Sequence, residues 1–411
     1  MTNNTITAAK DFMAAGISCG IKESGKKDLG LIVCLKGATA AALFTTNKIV
    51  SAAVTVSREH IKSARVYGMV VNSGNANACT GRVGINNAVK MCAETARLLR
   101  GARNDIKSKM QYSPRGILIA STGIIGHRLP IGKIKSGIAK AIKKLSDSQQ
   151  AGLDFAQAIM TTDTKIKQVV RRFKIEGKVV TIAGVTKGAG MIGPNMATTL
   201  CFITTDAAIA KSLLARALKG AIDNSLNKLT VDGHQSTNDT VVLIASGAAG
   251  NRVIVNEGRQ YKKFLGELML LCDDLARQMA LDAEGATKCF KVVVNGAANK
   301  QDASKAARAV ANYDLVKCAI HGNDPNWGRI ICAVGSCGVK LNEQKLSCKI
   351  GDITVFKNGR PAKFDAAKAS RIIARKEHTI TVDLGVGRES DFCYGCDLSK
   401  DYITINADYH T

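Results

Sequence analysis

Near the middle of a 411-residue chain, Lys187-Gly188-Ala189-Gly190-Met191-Ile192-Gly193-Pro194-Asn195-Met196-Ala197-Thr198-Thr199-Leu200 gathers a lysine, three glycines, a proline and two adjacent threonine hydroxyls in one run. The glycines reach backbone angles that a Cβ forbids, and Pro194 fixes its own φ while biasing Gly193 away from helix. The run therefore reads as constrained, irregular backbone presenting small hydroxyls. A phosphate loop would need four residues between its glycines and then Gly-Lys-Ser/Thr, whereas this lysine comes before the glycines. A plain glycine-rich connection between strands fits the spacing as well.

Other stretches carry weaker signals. Ser121-Thr122-Gly123 follows an apolar run at 117–120, a place where a turn is common. Ser73-Gly74-Asn75-Ala76-Asn77 is rich in small amides and suits either an anion or a turn. The pair Cys393 and Cys396 has no second pair at zinc-site spacing, because Cys332 and Cys337 are five apart, so no metal is expected. The 13 cysteines are odd in number and mostly sit inside apolar runs, as buried reduced thiols do.

The surrounding pattern shows what must hold these stretches. Alternating runs at 167–175 and 178–185 lead into the central run and an apolar run at 200–205 leads out, so the glycines interrupt what would otherwise be sheet. Upstream, strands are expected at 29–35, 40–45, 50–56, 69–72 and 117–120, and helices at 84–99, 131–145 and 148–160. Downstream come a helix at 208–227, a strand at 240–245 and a helix at 261–280. The pattern changes near Cys289, with a helix at 304–316, a strand at 330–334 and several short strands. Alternating strands and helices give an α/β layered sandwich, residues 1–287, with a smaller α/β domain at 288–411.

Composition bounds the rest. Hydrophobic residues are 46%, enough for a sizeable core, and no apolar stretch reaches the ~18 residues of a membrane span. The first residues lack a basic region followed by an apolar one, so a cytoplasmic location is expected. Lysine and arginine outnumber acids 58 to 33, a net charge of +25. That raises a second reading, a non-enzymatic nucleic-acid-binding protein. The basic residues are spread along the chain and aromatics are only 4%, too few for base-stacking platforms, so no nucleic-acid partner is expected. A positive field suits anionic metabolites.

The central run, with Phe202-Ile203-Thr204-Thr205-Asp206-Ala207 after it, resembles the self-cleaving centre of the ornithine acetyltransferase (glutamate N-acetyltransferase) family of arginine biosynthesis. The resemblance extends, in the family's order, through Val71-Asn72-Ser73-Gly74-Asn75-Ala76-Asn77-Ala78, Ser121 to Gly126, Met160-Thr161-Thr162-Asp163-Thr164, Ser236-Thr237-Asn238-Asp239-Thr240, Asp282 to Lys288, Gly322 to Arg329 and Ile405-Asn406-Ala407-Asp408-Tyr409. It implies a helix-sheet-sheet-helix sandwich with a smaller second domain, and an assembly of two α and two β chains. Thr198 is then both cleavage site and nucleophile, with Ala197 before the cut and chains 1–197 and 198–411 after it. The resemblance assigns the oxyanion hole to Thr122 and Gly123, and substrate contacts to Thr161, Lys187, Thr198, Glu284, Asn406 and Thr411. Departures are Thr199 where the family usually has methionine, Gly193 for alanine, and His234-Gln235 for an Asp-Thr pair.

The implied chemistry is coherent. A threonine hydroxyl inside a chain is a poor nucleophile, but cleavage before Thr198 frees an α-amine with a pKa of about 7.7 to 8.0 beside its own Oγ, a general base within one residue. The resemblance implies ping-pong acetyl transfer from N-acetyl-L-ornithine to L-glutamate, small-molecule substrates both, with no cofactor and with acetyl-CoA left open as a second donor.

Overall fold

The computed structural model describes residues 2–102, 112–193 and 199–408. Its larger sheet is eight-stranded, built from β1 (Met13–Ile17), β2 (Leu29–Phe44), β3 (Val66–Asn75), β4 (Ile117–Ile124), β5 (Lys167–Ile175), β6 (Lys178–Lys187), β7 (Leu200–Thr205) and β8 (Thr240–Ala245). The order is β4-β3-β2-β8-β7-β6-β5, with β1 also on β2. β2 belongs to two halves: residues 29–38 pair with β1 and β3, and residues 39–44 pair with β8.

Alternation along the strands shows how these halves fold together. In β4, Leu118 and Ala120 share a core with Phe202 of β7 and with Val242 and Ile244 of β8. The intervening Ile117 and Ile119 face α1 (Ala52–His60), α2 (Gly81–Ala102) and α3 (Ile131–Lys143), while Cys201, Ile203, Val241 and Leu243 face α5 (Lys211–Asp223) and α6 (Arg259–Leu281). Period-two alternation with both faces apolar is what a buried double layer requires. The result is helix, sheet, sheet, helix. α4 (Gln149–Ile159) packs into the inter-sheet core, where Phe155 meets the Phe202 ring edge-on at 5.8 Å.

From Cys289 onward the chain builds a six-stranded sheet in the order β12-β11-β10-β13-β9-β14. Its strands are β9 (Cys289–Ala297), β10 (Ser347–Ile350), β11 (Ile353–Lys357), β12 (Arg360–Pro361), β13 (Glu377–Asp383) and β14 (Glu389–Cys396). α7 (Lys300–Asn312), α8 (Asp314–His321), α9 (Trp327–Ser336) and α10 (Ala366–Ile373) belong to this unit, whose core includes Val292, Val294, Val310, Ile380 and Val382. Cys289, Tyr394 and Cys396 instead join the core under α6, so the two units share a seam. α11 (Lys400–Asp408) returns to the larger unit without burying a single residue.

Two expected strands are helices. Residues 50–56 enter α1 because Ser51 caps it, accepting from Val54 N at 3.3 Å, and because Ser57 and His60, one turn apart, bond the outer edge of β4. Residues 330–334 lie in α9, capped by Asn326, with Ile330, Ala333 and Val334 buried at helical spacing and Cys332 exposed; a five-residue apolar run does not distinguish the two. The helix expected at 208–227 is shorter, α5, and that at 304–316 breaks at Tyr313 between α7 and α8. Among the described residues no helix is long and apolar enough to cross a membrane, and no metal-ligating cluster occurs.

Candidate active site

Where β4 and β6 run out, the chain leaves the sheet around a cavity of ≈ 290 Å³. Thr122 and Gly123 reach it from β4, Thr161 from the segment after α4, Lys187 from the end of β6, Glu284 from the segment after α6, and Asn406 from α11. These residues come from five separated parts of the sequence. Ala197, Thr198 and Thr411 lie outside the described residues. Two larger cavities, ≈ 750 Å³ beside the β5–β6 turn and ≈ 670 Å³ behind residues 281–288, gather none of these groups together.

Bonded to the cavity segments at Thr161 and Gly188 is a buried charge network. Lys167 Nζ lies 2.5 Å from both Asp163 Oδ1 and Asp282 Oδ2, with side-chain exposures of 1%, 0% and 6%. Asp163 also accepts from Thr161 N at 3.0 Å and Gly188 N at 2.8 Å, so one carboxylate fixes both a cavity threonine and the start of the glycine-rich bend. Burial alone would raise the Asp163 carboxyl, but Lys167, Lys187 and the Gly188 N–H outweigh it and hold it below the usual range. Removing Lys167 would strand two carboxylates, a loss of about 3–5 kcal/mol. Lys187, 3.5 Å from Thr161 Oγ1, is pushed below the ordinary lysine range by burial, against the pull of Asp163, Asp239 and Glu284.

The bend itself is tied down residue by residue. Glu284 N donates to Ala189 O at 2.8 Å, and a Cβ on Gly190 would run into the Glu284 carboxylate, so glycine is what lets that acid enter the cavity. Glu284 Oε2 accepts from Asn406 Nδ2 at 2.8 Å. Met191, in the left-handed region at φ +53°, donates to Asp232 Oδ2 at 2.7 Å, and Ile192 N to Asp232 Oδ1 at 2.9 Å. Near the end of β4 Gly123 has φ +128°, and a Cβ there would meet the Gly74 backbone. A small side chain followed by glycine is the composition that lets backbone N–H groups approach a reacting centre.

Several sequence signals resolve. The amide-rich stretch is the end of β3 and its exit, with its amides tied to backbone: Asn72 Nδ2 bonds Asn75 O, Asn75 Nδ2 bonds His127 O, and Asn77 Nδ2 bonds Gly84 O, all at 2.8–3.2 Å. Asn238 Nδ2 reaches Ala76 O and Ser121 O at 2.7 Å each, bracing the strand that delivers Thr122. Thr199 is 4% exposed, and its hydroxyl lies 2.6 Å from both Thr186 Oγ1 and Lys187 O, so it faces the sheet. Cys393 is a buried free thiol in the smaller core. His321 pairs with Asp397 at 2.8 Å and does not line the cavity. Sequence reasoning gave no role to Asp232, Tyr402, Asp163 or Lys167. Tyr402 lies on a helix with no buried face, which leaves no periodic signal.

Fold and cavity together define a layered α/β protein with a small, mixed-charge pocket fit for an amino-acid-sized molecule. The model of the ArgJ family matches residues 13–411. The chain is 42% identical over 408 residues to the arginine biosynthesis bifunctional protein ArgJ of Symbiobacterium thermophilum, covering 99% of this chain and 98% of that one. It is also 42% identical to the Bacillus cereus protein of the same name, covering 100% and 98%. Among solved structures, the Bacillus halodurans ArgJ matches at 43% identity, 51% of this chain and 98% of that one, TM-score 0.49. Ornithine acetyltransferase of Mycobacterium tuberculosis, complexed with ornithine, matches at 31%, 47% and 97%, TM-score 0.41. This chain belongs to the ArgJ family.

Proposed function

We propose that the chain transfers an acetyl group from N-acetyl-L-ornithine to L-glutamate in cyclic arginine biosynthesis, through an acetyl ester on Thr198, after cutting itself between Ala197 and Thr198. The observation that carries this reading is the convergence of Thr122, Gly123, Thr161, Lys187, Glu284 and Asn406 on one cavity. Lys187 suits a substrate carboxylate and Glu284 an ammonium, the two charges that distinguish an amino acid from a simple amide.

In the cleavage step Thr198 Oγ attacks the Ala197 carbonyl carbon, the C–N bond breaks, and the hydroxyl proton passes to the departing nitrogen. Water then hydrolyses the ester, leaving an Ala197 carboxylate and a Thr198 that carries both a free amine and its hydroxyl. In turnover the amine takes the hydroxyl proton as Oγ attacks the acetyl carbonyl of acetyl-ornithine. Thr122 and Gly123 stabilise the oxyanion, ornithine leaves with the proton, and the glutamate amine repeats the exchange in reverse. One amide replaces another, so the exchange needs neither ATP nor a metal.

The curated relatives are called bifunctional, and acetyl-CoA as a second donor fits that word. A cavity of ≈ 290 Å³ encloses a thioester end rather than a whole cofactor. The mature enzyme is then two α chains, 1–197, and two β chains, 198–411, with a large domain at 1–287 and a smaller one at 288–411, in the cytoplasm. Thr198→Ala is the test. It should remain one band near 43.5 kDa on denaturing gels and form no N-acetylglutamate, while the unsubstituted chain gives two fragments of about half that mass. Normal transfer by the variant would refute the assignment.

A further inference from the structure

Asp232 occupies a place that the reaction scheme leaves unused. Its side chain is only 7% exposed, yet four donors meet it: Met191 N at 2.7 Å and Tyr402 Oη at 3.1 Å on Oδ2, Ile192 N at 2.9 Å and His234 N at 3.1 Å on Oδ1. In return Ile192 O accepts from Val231, Asp232 and Gly233 N at 2.9–3.2 Å, so the loop before β8 and the glycine-rich bend hold each other in both directions. Met191 pays for a left-handed backbone, φ +53°, that a side chain disfavours; the Asp232 contact is what compensates.

Tyr402 carries the same tie to α11. That helix buries no side chain, so polar contacts hold it: Ser399 Oγ to Gly285 O at 2.6 Å, Asn406 Nδ2 to Glu284 Oε2 at 2.8 Å, and the Tyr402 phenol to Asp232. Burial and the Asp232 carboxylate push the Tyr402 phenol up, which keeps it a donor.

We infer that Asp232 is a positioning residue for self-cleavage, setting the Met191–Ile192 backbone upstream of the scissile bond, and that through Tyr402 the same carboxylate sets the substrate-facing edge of α11. The inference rests on the cleavage reading above. Asp232 neither gives nor takes a proton in it; the hydroxyl proton still passes to the departing nitrogen and water still opens the ester.

Asp232→Asn swaps one acceptor oxygen for a donor that faces a backbone N–H. Fresh precursor of this variant should cleave more than about tenfold slower, normalised to the folded fraction read by thermal melting, since a lost charge-assisted bond acts directly on the barrier. Tyr402→Phe leaves both bend contacts in place. Its cleavage should slow less than about threefold, while KM for acetyl-ornithine rises several-fold with kcat nearly kept. Cleavage of Asp232→Asn at the normal rate overturns the proposal alone. So does a Tyr402→Phe variant whose KM is unmoved, a readout that stands even if Asp232→Asn fails to fold. An unsubstituted chain that stays whole overturns the cleavage reading and this proposal with it.

Discussion

Thr198 and Thr199 offer the same hydroxyl one residue apart, and the family resemblance meets methionine at the second position, so the choice of nucleophile turns on where Thr199 points. Its Oγ1 sits within 2.6 Å of Thr186 Oγ1 and of Lys187 O, at 4% exposure, committed to the β6–β7 pairing. A hydroxyl used that way is not free to attack a carbonyl. Thr199→Val should therefore still cleave and still transfer acetyl at close to the normal rate, while losing about 1 kcal/mol of stability for the forfeited bonds. Gel electrophoresis and a urea titration would check both, and a Thr199→Val chain that stays whole would move the nucleophile to Thr199. Lys187, Glu284 and Asn406 were reached only through the family resemblance, since by residue type alone a lysine and a glutamate read as surface charges. Asp232 and Tyr402 were not reached at all, because their meaning lies in a hydrogen bond across 170 residues.

At the level of elements, the strand that presents Thr122 and Gly123 is an outer strand of its sheet, and its free edge needs a cover. α1 supplies it. Ser57 Oγ donates to Ile119 O at 2.6 Å and accepts from Ile119 N at 2.8 Å, and His60 Nδ1 lies 2.7 Å from Ile117 O. Sequence periodicity alone favours a strand at 50–56, because valines and a threonine carry β propensity; the cap at Ser51 and the polar spacing Ser57/His60 decide for helix, and they act only once β4 is in place. The central hairpin, by contrast, was readable in advance, since two strand-like runs flank a two-residue Glu176-Gly177 turn, across which nine residue pairs form. Ser57→Ala leaves a buried N–H and a buried C=O on Ile119 unpaired. We expect a loss of about 2–4 kcal/mol in denaturant stability, and with it slower transfer from a less firmly seated Thr122. A variant as stable as the parent would show that water or a shifted helix takes over the edge.

Over the whole molecule, the two sheets meet along a seam where α6 lies on β9, β13 and β14, bridged by Arg277 Nε to Glu377 Oε2 at 2.5 Å and by the Lys228–Asp391 pair. The sequence marked a change of pattern near Cys289, but not that Cys289, Tyr394 and Cys396 would sink into the core beneath α6, since a small apolar residue does not name its partner. His378 lies on this seam, 8% exposed and stacked on Phe290 at 5.9 Å and 17°. Burial pushes its imidazole down to about 4, against a weaker opposing pull from the Arg375 backbone. In the unfolded chain the same group titrates near about 6.5. Above that pH both states hold it neutral and it contributes nothing to the balance. As pH falls from about 6.5 towards about 4 the unfolded chain takes a proton that the folded one refuses, so stability drops, saturating at a loss of about 3 kcal/mol. The depressed Asp163 carboxyl also loses stability in acid, but only below about 4, where carboxylates protonate. Between pH 7 and pH 5 the His378 contribution falls by about 2 kcal/mol. His378→Phe keeps a ring against Phe290 without a titrating group, so urea midpoints measured at the two pH values should draw together in the variant. An equal fall in both proteins would mean that protonation elsewhere governs the seam.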